Sequence, residues 1–111
     1  MKKKFSDAFN GLKIGLGHRA IVVQFILGLM AIIGGLIIRL DYYEWLVFII
    51  CITMVIAAEI FNTAIEKIGD YLNPEIDERI KVIKDLSSGA VLVASIGSLI
   101  VCIFTIIRRI L

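Results

Sequence analysis

Four polar side chains in the middle of the chain recur at spacings that place them on one face of a helix. Steps of three, four and four residues separate Glu59, Asn62, Glu66 and Asp70, so they share one helical stripe. An unpaired carboxylate in a membrane helix costs roughly 2.5–3.5 kcal/mol on insertion scales, and we therefore expect Glu59 to face a protein or water-filled interior. The alternative is that the helix has left the membrane and the stripe is simply solvated.

A second polar cluster lies where a later apolar run begins. It contains a cation, a carboxylate, two hydroxyls and two small residues: Lys84, Asp85, Ser87, Ser88, Gly89 and Ala90. At a helix N-terminus, free backbone N–H groups and the helix dipole favour an anion such as phosphate. The alternative is that Asp85 or Ser87 merely caps the helix and Lys84 marks the membrane border.

Together, the two clusters supply the groups that phosphoryl transfer at a membrane surface needs. Carboxylates and an amide can hold Mg²⁺ with its waters, a lysine can neutralise phosphate oxygens, and a remaining carboxylate can accept a proton. The glycines at 11, 15 and 17 lack the G-x-x-x-x-G-K-[ST] pattern of a phosphate loop. His18, next to Arg19, is interpreted as an interfacial residue, with metal binding as the alternative.

The composition indicates that these clusters belong to an integral membrane protein. Hydrophobic residues make up 59% of the 111 residues, compared with about 45–50% in soluble domains. The net charge of +2 argues against a nucleic-acid partner. Cys51 and Cys102 lie in apolar runs and need no disulfide. The N-terminal segment lacks the continuous apolar core of a signal peptide, so we expect it to be retained.

Three apolar runs are long enough to cross a hydrocarbon core of about 30 Å. The predicted spanning helices cover residues 20–38, 45–70 and 86–107 of a single domain, 1–111. An amphipathic helix over residues 2–16 is expected to lie on the membrane surface. A short surface helix from Glu75 is expected in the hydrophilic loop before Asp85. The fold class is therefore all-α, with a surface helix and three transmembrane helices.

The positions of Lys and Arg predict how the chain is oriented in the membrane, and the positions of small residues predict where its helices pack. Nine cations share the side of the N-terminus and the hydrophilic loop, whereas Arg39, Arg108 and Arg109 lie on the other side. The positive-inside rule then predicts a cytoplasmic N-terminus and an outer C-terminus in a bacterial cytoplasmic membrane. Small residues favour close helix packing; they are Gly28, Gly34 and Gly35 in the first spanning helix, and Gly89, Ala90, Ala94 and Gly97 in the third.

The order and spacing of the two clusters resemble the signature of the prokaryotic diacylglycerol kinase and undecaprenol kinase family. The stretch Glu59-Ile-Phe-Asn-Thr-Ala-Ile-Glu66 matches E-x-x-N-[ST]-A-I-E, and Lys84-Asp-Leu-Ser-Ser-Gly-Ala-Val91 matches K-D-x-x-[SAG]-[SAG]-A-V. The resemblance covers essentially the whole chain. It implies a homotrimer of three-helix protomers, with active sites between neighbouring subunits near the cytoplasmic interface.

The resemblance also implies a role for each matching residue. Glu59 looks like the catalytic base that takes the proton from the lipid hydroxyl, and Asn62 would position this site. Glu66 looks like the carboxylate that binds Mg²⁺ and orders ATP. Lys84 and Asp85 resemble the catalytic pair that engages the phosphates. Two further positions match residues near the nucleotide: Asp70 and Ser88.

The chain departs from the family pattern at the start of the first spanning helix. The family usually has a second metal-binding glutamate there, whereas this chain reads Gly17-His18-Arg19. Depending on a one-residue choice of alignment, His18 or Arg19 takes that position, and Gln24 falls near a later polar one. A histidine suits Mn²⁺ or Zn²⁺ better than Mg²⁺, and an arginine could itself neutralise phosphate oxygens.

The activity that the resemblance implies is ATP-dependent phosphorylation of a membrane lipid alcohol. We predict undecaprenol as the substrate, because the short, Ile- and Lys-rich chain looks like Gram-positive members of the family, with diacylglycerol as the alternative. A competing hypothesis is a small proton-coupled transporter. Such a protein normally needs four spans and a glutamate deep in the first, whereas the first span predicted here contains no glutamate. A non-enzymatic pore or accessory protein would leave the ordered carboxylates without a purpose. The expected partners are ATP, the lipid and other copies of the chain.

Overall fold

The described residues form four helices and contain no strand. The computed structural model describes residues 2–72 and 77–111. The helices are α1 (Lys2–Gly15), α2 (Arg19–Ile38), α3 (Tyr42–Leu72) and α4 (Glu78–Ile110). Helices α2, α3 and α4 are each long and apolar enough to cross a membrane. The predicted all-helical architecture with three spans is therefore confirmed.

The start of α4 corrects the sequence prediction, because this helix begins at Glu78 and not at residue 86. Asp77 is its N-cap, and the carboxylate of Asp77 accepts a hydrogen bond of 2.9 Å from the backbone N–H of Arg79. A carboxylate in this position satisfies a backbone donor that lacks a partner within the helix. The charged residues between this cap and the apolar run look like a loop in the sequence, but they form the first turns of α4.

Two expectations about the second cluster are therefore wrong. Lys84 and Asp85 lie within α4, so their backbone N–H groups are not free to bind an anion, and neither Asp85 nor Ser87 is the cap. The surface helix that was expected from Glu75 begins outside the described residues. From Glu78 onward that charged stretch belongs to α4.

A tight turn joins α2 to α3. Arg39 adopts the left-handed conformation at the C-cap of α2, with φ 58°. Asp41 and Glu44 then form a reciprocal capping box: each side chain accepts a hydrogen bond from the other's backbone N–H, at 2.9 and 3.0 Å. This cap starts α3 at Tyr42, before the apolar run predicted from residue 45.

Arg109 connects the end of α4 to the same turn. Its guanidinium donates to the backbone oxygens of Ile38 and Arg39, at 2.7 and 2.8 Å, and to the carboxylate of Glu44. Carbonyls at a helix C-terminus lack partners within the helix, so this contact satisfies two of them. The sequence predicted Arg108 and Arg109 only as interfacial anchors.

Helix α3 lies between α2 and α4 and packs antiparallel to both. A Cβ built on Gly28 would lie 2.8 Å from Cγ2 of Ile52, and one built on Gly35 would lie 2.8 Å from the ring of Trp45. On the other side, the hydroxyl of Ser98 in α4 lies 3.5 Å from the backbone oxygen of Cys51 in α3. The N-terminal ends of α2 and α4 therefore meet the C-terminal end of α3, where both polar clusters lie.

The predicted packing role of the glycines holds for only some of them. Gly28 and Gly35 are buried at the contact with α3. By contrast, no other residue in the described part of the chain comes within 4 Å of a Cβ built on Gly34, Gly89 or Gly97. Most apolar side chains of the spanning helices are exposed, as contact with lipid requires.

Helix α1 agrees closely with the predicted range 2–16. Its apolar residues Phe5, Phe9 and Leu12 are exposed, and its last turn continues directly into α2 through backbone bonds such as that from His18 N–H to the Gly15 oxygen, at 2.9 Å. This exposure is what a surface helix needs. Its placement on the membrane stays a prediction.

Candidate active site

Glu59 and Asn62 are buried polar residues in α3, each with only 7% of its surface exposed. Within the described residues, the carboxylate of Glu59 makes no hydrogen bond or ion pair. Only its backbone oxygen is engaged, accepting from the hydroxyl of Thr63 at 3.0 Å. An ionisable side chain within a membrane-spanning helix makes Glu59 a candidate functional residue. Both carboxylate oxygens of Glu59 are available to accept a proton from a substrate hydroxyl.

A chain of hydrogen bonds leads from the buried contact between α3 and α4 to an exposed carboxylate. The hydroxyl of Ser87 donates to Oδ1 of Asn62 at 2.7 Å. Nδ2 of Asn62 then donates to Oε1 of Glu66 at 3.2 Å, one turn further along α3. Asn62 therefore connects a residue of α4 to the carboxylate that was expected to bind metal.

Lys84 reaches across from α4 to the last acidic residue of the stripe. Its ammonium lies 2.5 Å from Oδ1 of Asp70, with the two side chains 28% and 60% exposed. Gly69 makes room for this crossing, because a Cβ at that position would lie only 2.7 Å from Cε of Lys84. The ion pair holds the ammonium at the same end of α3 as Glu66.

Asp85 and Ser88 do not join this cluster within one chain. The carboxylate of Asp85 accepts from Lys81 at 2.8 Å, and both of these side chains are exposed. Asp85 also lines an open groove of about 990 Å³ between α3 and α4 whose other walls are mostly apolar, including Phe61 and Leu86. Ser88 is exposed and makes no hydrogen bond in the described part of the chain. Consecutive residues on a helix diverge by about 100°, so Lys84 and Asp85 face different surroundings.

His18 and Arg19 begin α2 at the same end of the bundle. His18 is half-buried at the N-cap, and its side chain makes no capping hydrogen bond, whereas Arg19 is exposed. Because Gly28 faces Ile52, continuing the antiparallel register by about three turns places His18 near the level of Asn62 along the helix axis. The structure therefore places both alternatives at the same end of the bundle as the site and shows no contact between either of them and a site residue among the described residues. Gln24 instead lines a smaller cavity of about 340 Å³ deeper in the bundle.

Glu66 is the residue that best fits a divalent cation. Among the described residues, no three His, Cys, Asp or Glu side chains group closely enough to form a complete metal site. Mg²⁺ in kinases needs less than that, because one or two carboxylates hold it together with phosphates and waters. Glu66 is exposed, and Asn62 occupies only its Oε1. Its second oxygen is therefore available to a metal–nucleotide complex.

From the sequence, Ser87 was a member of the second cluster or a helix cap, and its contact with α3 was not predicted. The sequence assigned Ser88 to the site, whereas Ser87 is the buried serine, 8% exposed and bonded to Asn62. The signal is helical spacing: Ser87 follows Ile80 by two turns and precedes Ser98 by three, and both of those residues contact α3. That spacing becomes visible only once α4 is extended back to Glu78.

Comparisons with known proteins agree with the signature. A family model described as prokaryotic diacylglycerol kinase matches residues 6–106, a range that includes every candidate site residue. A relative from Sinorhizobium sp., described as diacylglycerol kinase, is 34% identical over 87 residues. The aligned region covers 78% of this chain and 64% of the relative, so the chain spans slightly less than two thirds of that protein's length. Because the family model covers nearly the whole chain, this chain belongs to the prokaryotic diacylglycerol kinase family.

Proposed function

We propose that this chain transfers a phosphoryl group from ATP to the hydroxyl of a membrane lipid. Family membership supports this proposal, and one structural observation carries it. Glu59 is buried and unpaired within the described residues, and it shares a helical stripe with Asn62 and Glu66, opposite Lys84. A proton acceptor, a metal-binding carboxylate and a cation thus lie at one end of the spanning helices.

The proposed reaction assigns one task to each of these groups. Glu59 accepts the proton of the lipid hydroxyl as its oxygen bonds to the γ-phosphorus of ATP, while the bond from that phosphorus to ADP breaks. Lys84 neutralises phosphate oxygens, and Glu66, whose Oε1 accepts a hydrogen bond from the amide of Asn62, would hold Mg²⁺. When bound, Mg²⁺ would supply positive charge that offsets the negative charge of the ATP phosphates. Asp70 keeps the ammonium of Lys84 within reach of the site.

Two lipid alcohols are candidate substrates. Undecaprenol, with undecaprenyl phosphate as the product, is supported by the short, Ile- and Lys-rich chain. Diacylglycerol, with phosphatidic acid as the product, is supported by the description of the relative from Sinorhizobium. The proton-coupled transporter is disfavoured, because α2 contains no acidic residue and α2, α3 and α4 provide three spans.

A single labelling experiment tests both the activity and the substrate. The solubilised protein is incubated with γ-labelled ATP and Mg²⁺, together with undecaprenol, diacylglycerol or a simple long-chain alcohol. We expect label in a lipid product that depends on Glu59, with the largest yield from undecaprenol. A larger yield from diacylglycerol would reverse the substrate assignment. No labelled lipid with any alcohol would contradict the proposed activity.

The homotrimer and the membrane orientation are parts of the same proposal. Asp85 and Ser88 are exposed in a single chain, so a neighbouring copy could bring further groups to both of them. The distribution of Lys and Arg supports a cytoplasmic site. Single cysteines placed at Glu78 and Leu111, in a background without native cysteines, test the orientation in intact cells. An impermeant reagent that labels position 78 but not position 111 would overturn it.

A further inference from the structure

We propose that Ser87 is a positioning residue, which fixes the amide of Asn62 and thereby orients Glu66 toward a divalent cation and nucleotide phosphates. The inference rests on the proposed function and adds a residue that the signature does not require. Ser87 and Asn62 are both buried, and their side chains join α4 to α3 across 2.7 Å.

The hydrogen bond made by Ser87 differs from those of the other hydroxyls in the same two helices. Four of them donate to the backbone oxygen four residues earlier in their own helix: Thr53, Thr63, Ser98 and Thr105. That local bond is the usual way in which a hydroxyl within a helix is satisfied. Ser87 instead donates to a side chain on another helix, so local geometry alone does not account for its contact.

The chemistry of the amide makes this contact directional. Asn62 offers one oxygen that accepts and one nitrogen that donates, whereas an ionised Glu66 can only accept. The nitrogen must therefore face Glu66, and the oxygen then needs a donor, which Ser87 provides. With the amide reversed, its oxygen would face a carboxylate oxygen. Ser87 and Glu66 together select one orientation of Asn62.

The selected orientation has a defined consequence for Glu66. Its Oε1 is held by Asn62, which leaves Oε2 available to a ligand. Without the Ser87 hydroxyl, Asn62 loses the donor that holds its oxygen, and Glu66 loses a fixed partner. The carboxylate of Glu59 makes no hydrogen bond in this network, within the described residues, so proton acceptance should continue. Loss of Ser87 should therefore weaken metal and nucleotide binding more than it lowers turnover at saturation.

The test compares Ser87→Ala with Ser98→Ala. Ser98 is a half-buried serine of the same helix, and its hydroxyl bonds mainly to its own backbone. Binding of Mn²⁺ together with a non-hydrolysable ATP analogue is measured by electron paramagnetic resonance on the solubilised protein, without lipid or turnover. Loss of a group that bonds a metal ligand directly, as Asn62 bonds Glu66, typically weakens affinity about 10–100-fold; because Ser87 acts through Asn62, its loss should fall toward the lower end of this range. We expect a loss in this range for Ser87→Ala and wild-type affinity for Ser98→Ala.

Two further variants separate positioning from packing. Ser87→Thr keeps the hydroxyl and should restore most of the affinity. Ser87→Cys keeps a similar volume with a weaker donor; it should bind Mn²⁺ weakly, and it replaces Ser87→Ala if the alanine variant does not fold. In the lipid assay, the Mg²⁺ requirement and the KM for ATP should rise while kcat changes little.

Wild-type Mn²⁺ affinity in Ser87→Ala and Ser87→Cys would overturn the positioning role, as would the absence of any Mn²⁺ bound to the wild-type protein. If the wild-type protein binds Mn²⁺ but phosphorylates no lipid alcohol, the proposed function fails, and the binding comparison still decides the role of Ser87.

Discussion

Gly69 gives Lys84 the space to cross α3, so Gly69→Ala tests whether the position of that ammonium matters. The added Cβ would lie 2.7 Å from Cε of Lys84. Carbon atoms prefer separations of about 3.5–4.0 Å, so Cε must move by about 0.8–1.3 Å. The ammonium starts 2.5 Å from Asp70, and a displacement of that size stretches the contact beyond the roughly 3.2 Å limit of a good hydrogen bond.

The fold should tolerate the same substitution. Cε of Lys84 belongs to a flexible side chain that can move aside, whereas Cγ2 of Ile80, 3.0 Å from the added Cβ, must shift by a few tenths of an ångström. Overpacking typically costs about 1–3 kcal/mol, and replacing glycine by alanine within a helix returns about 1 kcal/mol. The net cost is therefore about 0–2 kcal/mol, and we expect a folded protein whose thermal midpoint lies at or several degrees below that of the wild type.

Activity should respond far more strongly than stability. A misplacement of about 1 Å in a catalytic site can cost on the order of 100-fold in rate, so we expect kcat/KM for ATP to fall by about 10–100-fold. Gly97→Ala is the matched control, because a Cβ there meets no other residue of the described chain within 4 Å. Wild-type kcat/KM in a folded Gly69→Ala protein would refute the argument that Lys84 must cross at this point.

Three further predictions concern the proposed base, the start of α2 and the N-cap of α4. Glu59→Gln should lower turnover by about 10²–10⁴-fold in the labelled-lipid assay while leaving the KM for ATP near its wild-type value, and near-normal turnover would remove Glu59 as the base. If His18 replaces the family's glutamate, His18→Ala should weaken Mn²⁺-supported activity. If Arg19 takes that position instead, Arg19→Ala should raise the KM for ATP. Unchanged metal and ATP dependence in both variants would leave the first residues of α2 as an interfacial anchor only. The side chain of Arg79, followed by its backbone N–H, lowers the pKa of Asp77 from the usual 3.8, so the cap of α4 is complete above that value and is lost as the pH falls through the lowered pKa. Protection of the Arg79 amide against hydrogen exchange, taken relative to the intrinsic rate at each pH, should therefore fall on acidification in the wild type. Asp77→Ala should show this low protection already at neutral pH.

Hydrophobic length and helical period were sufficient to predict the three spans and the stripe on α3. Both signals can be read within one segment of the sequence. An apolar run of about 20 residues is long enough to cross a bilayer, and spacings of three and four residues define one face of a helix. Glu59 and Asn62 were therefore found as an adjacent pair, and the structure buries both. The prediction of where α4 begins was wrong for a local reason as well. The charged residues before the apolar run were interpreted as a loop, although Asp77 is a residue type that caps helices.

Contacts between helices could not be predicted in the same way, because they depend on register. Gly28 and Gly34 look equivalent in the sequence, yet only Gly28 faces a side chain of α3. Ser87 and Ser88 are adjacent and chemically identical, yet one is buried against Asn62 and the other is exposed. In each case, a rotation of about 100° or more around the helix axis separates a packed position from an open one, and local sequence does not specify that rotation.

The same geometry separates the two residues that the family signature places side by side. Lys84 turns toward Asp70 of its own chain, whereas Asp85 turns toward Lys81 and the open groove. An aspartate side chain is too short to reach around the helix to the ammonium of Lys84. If both residues act on one nucleotide, a further element must close the groove beside Asp85. A second copy of the chain, as in the proposed homotrimer, would supply that element and allow Lys84 and Asp85 to act on the same nucleotide.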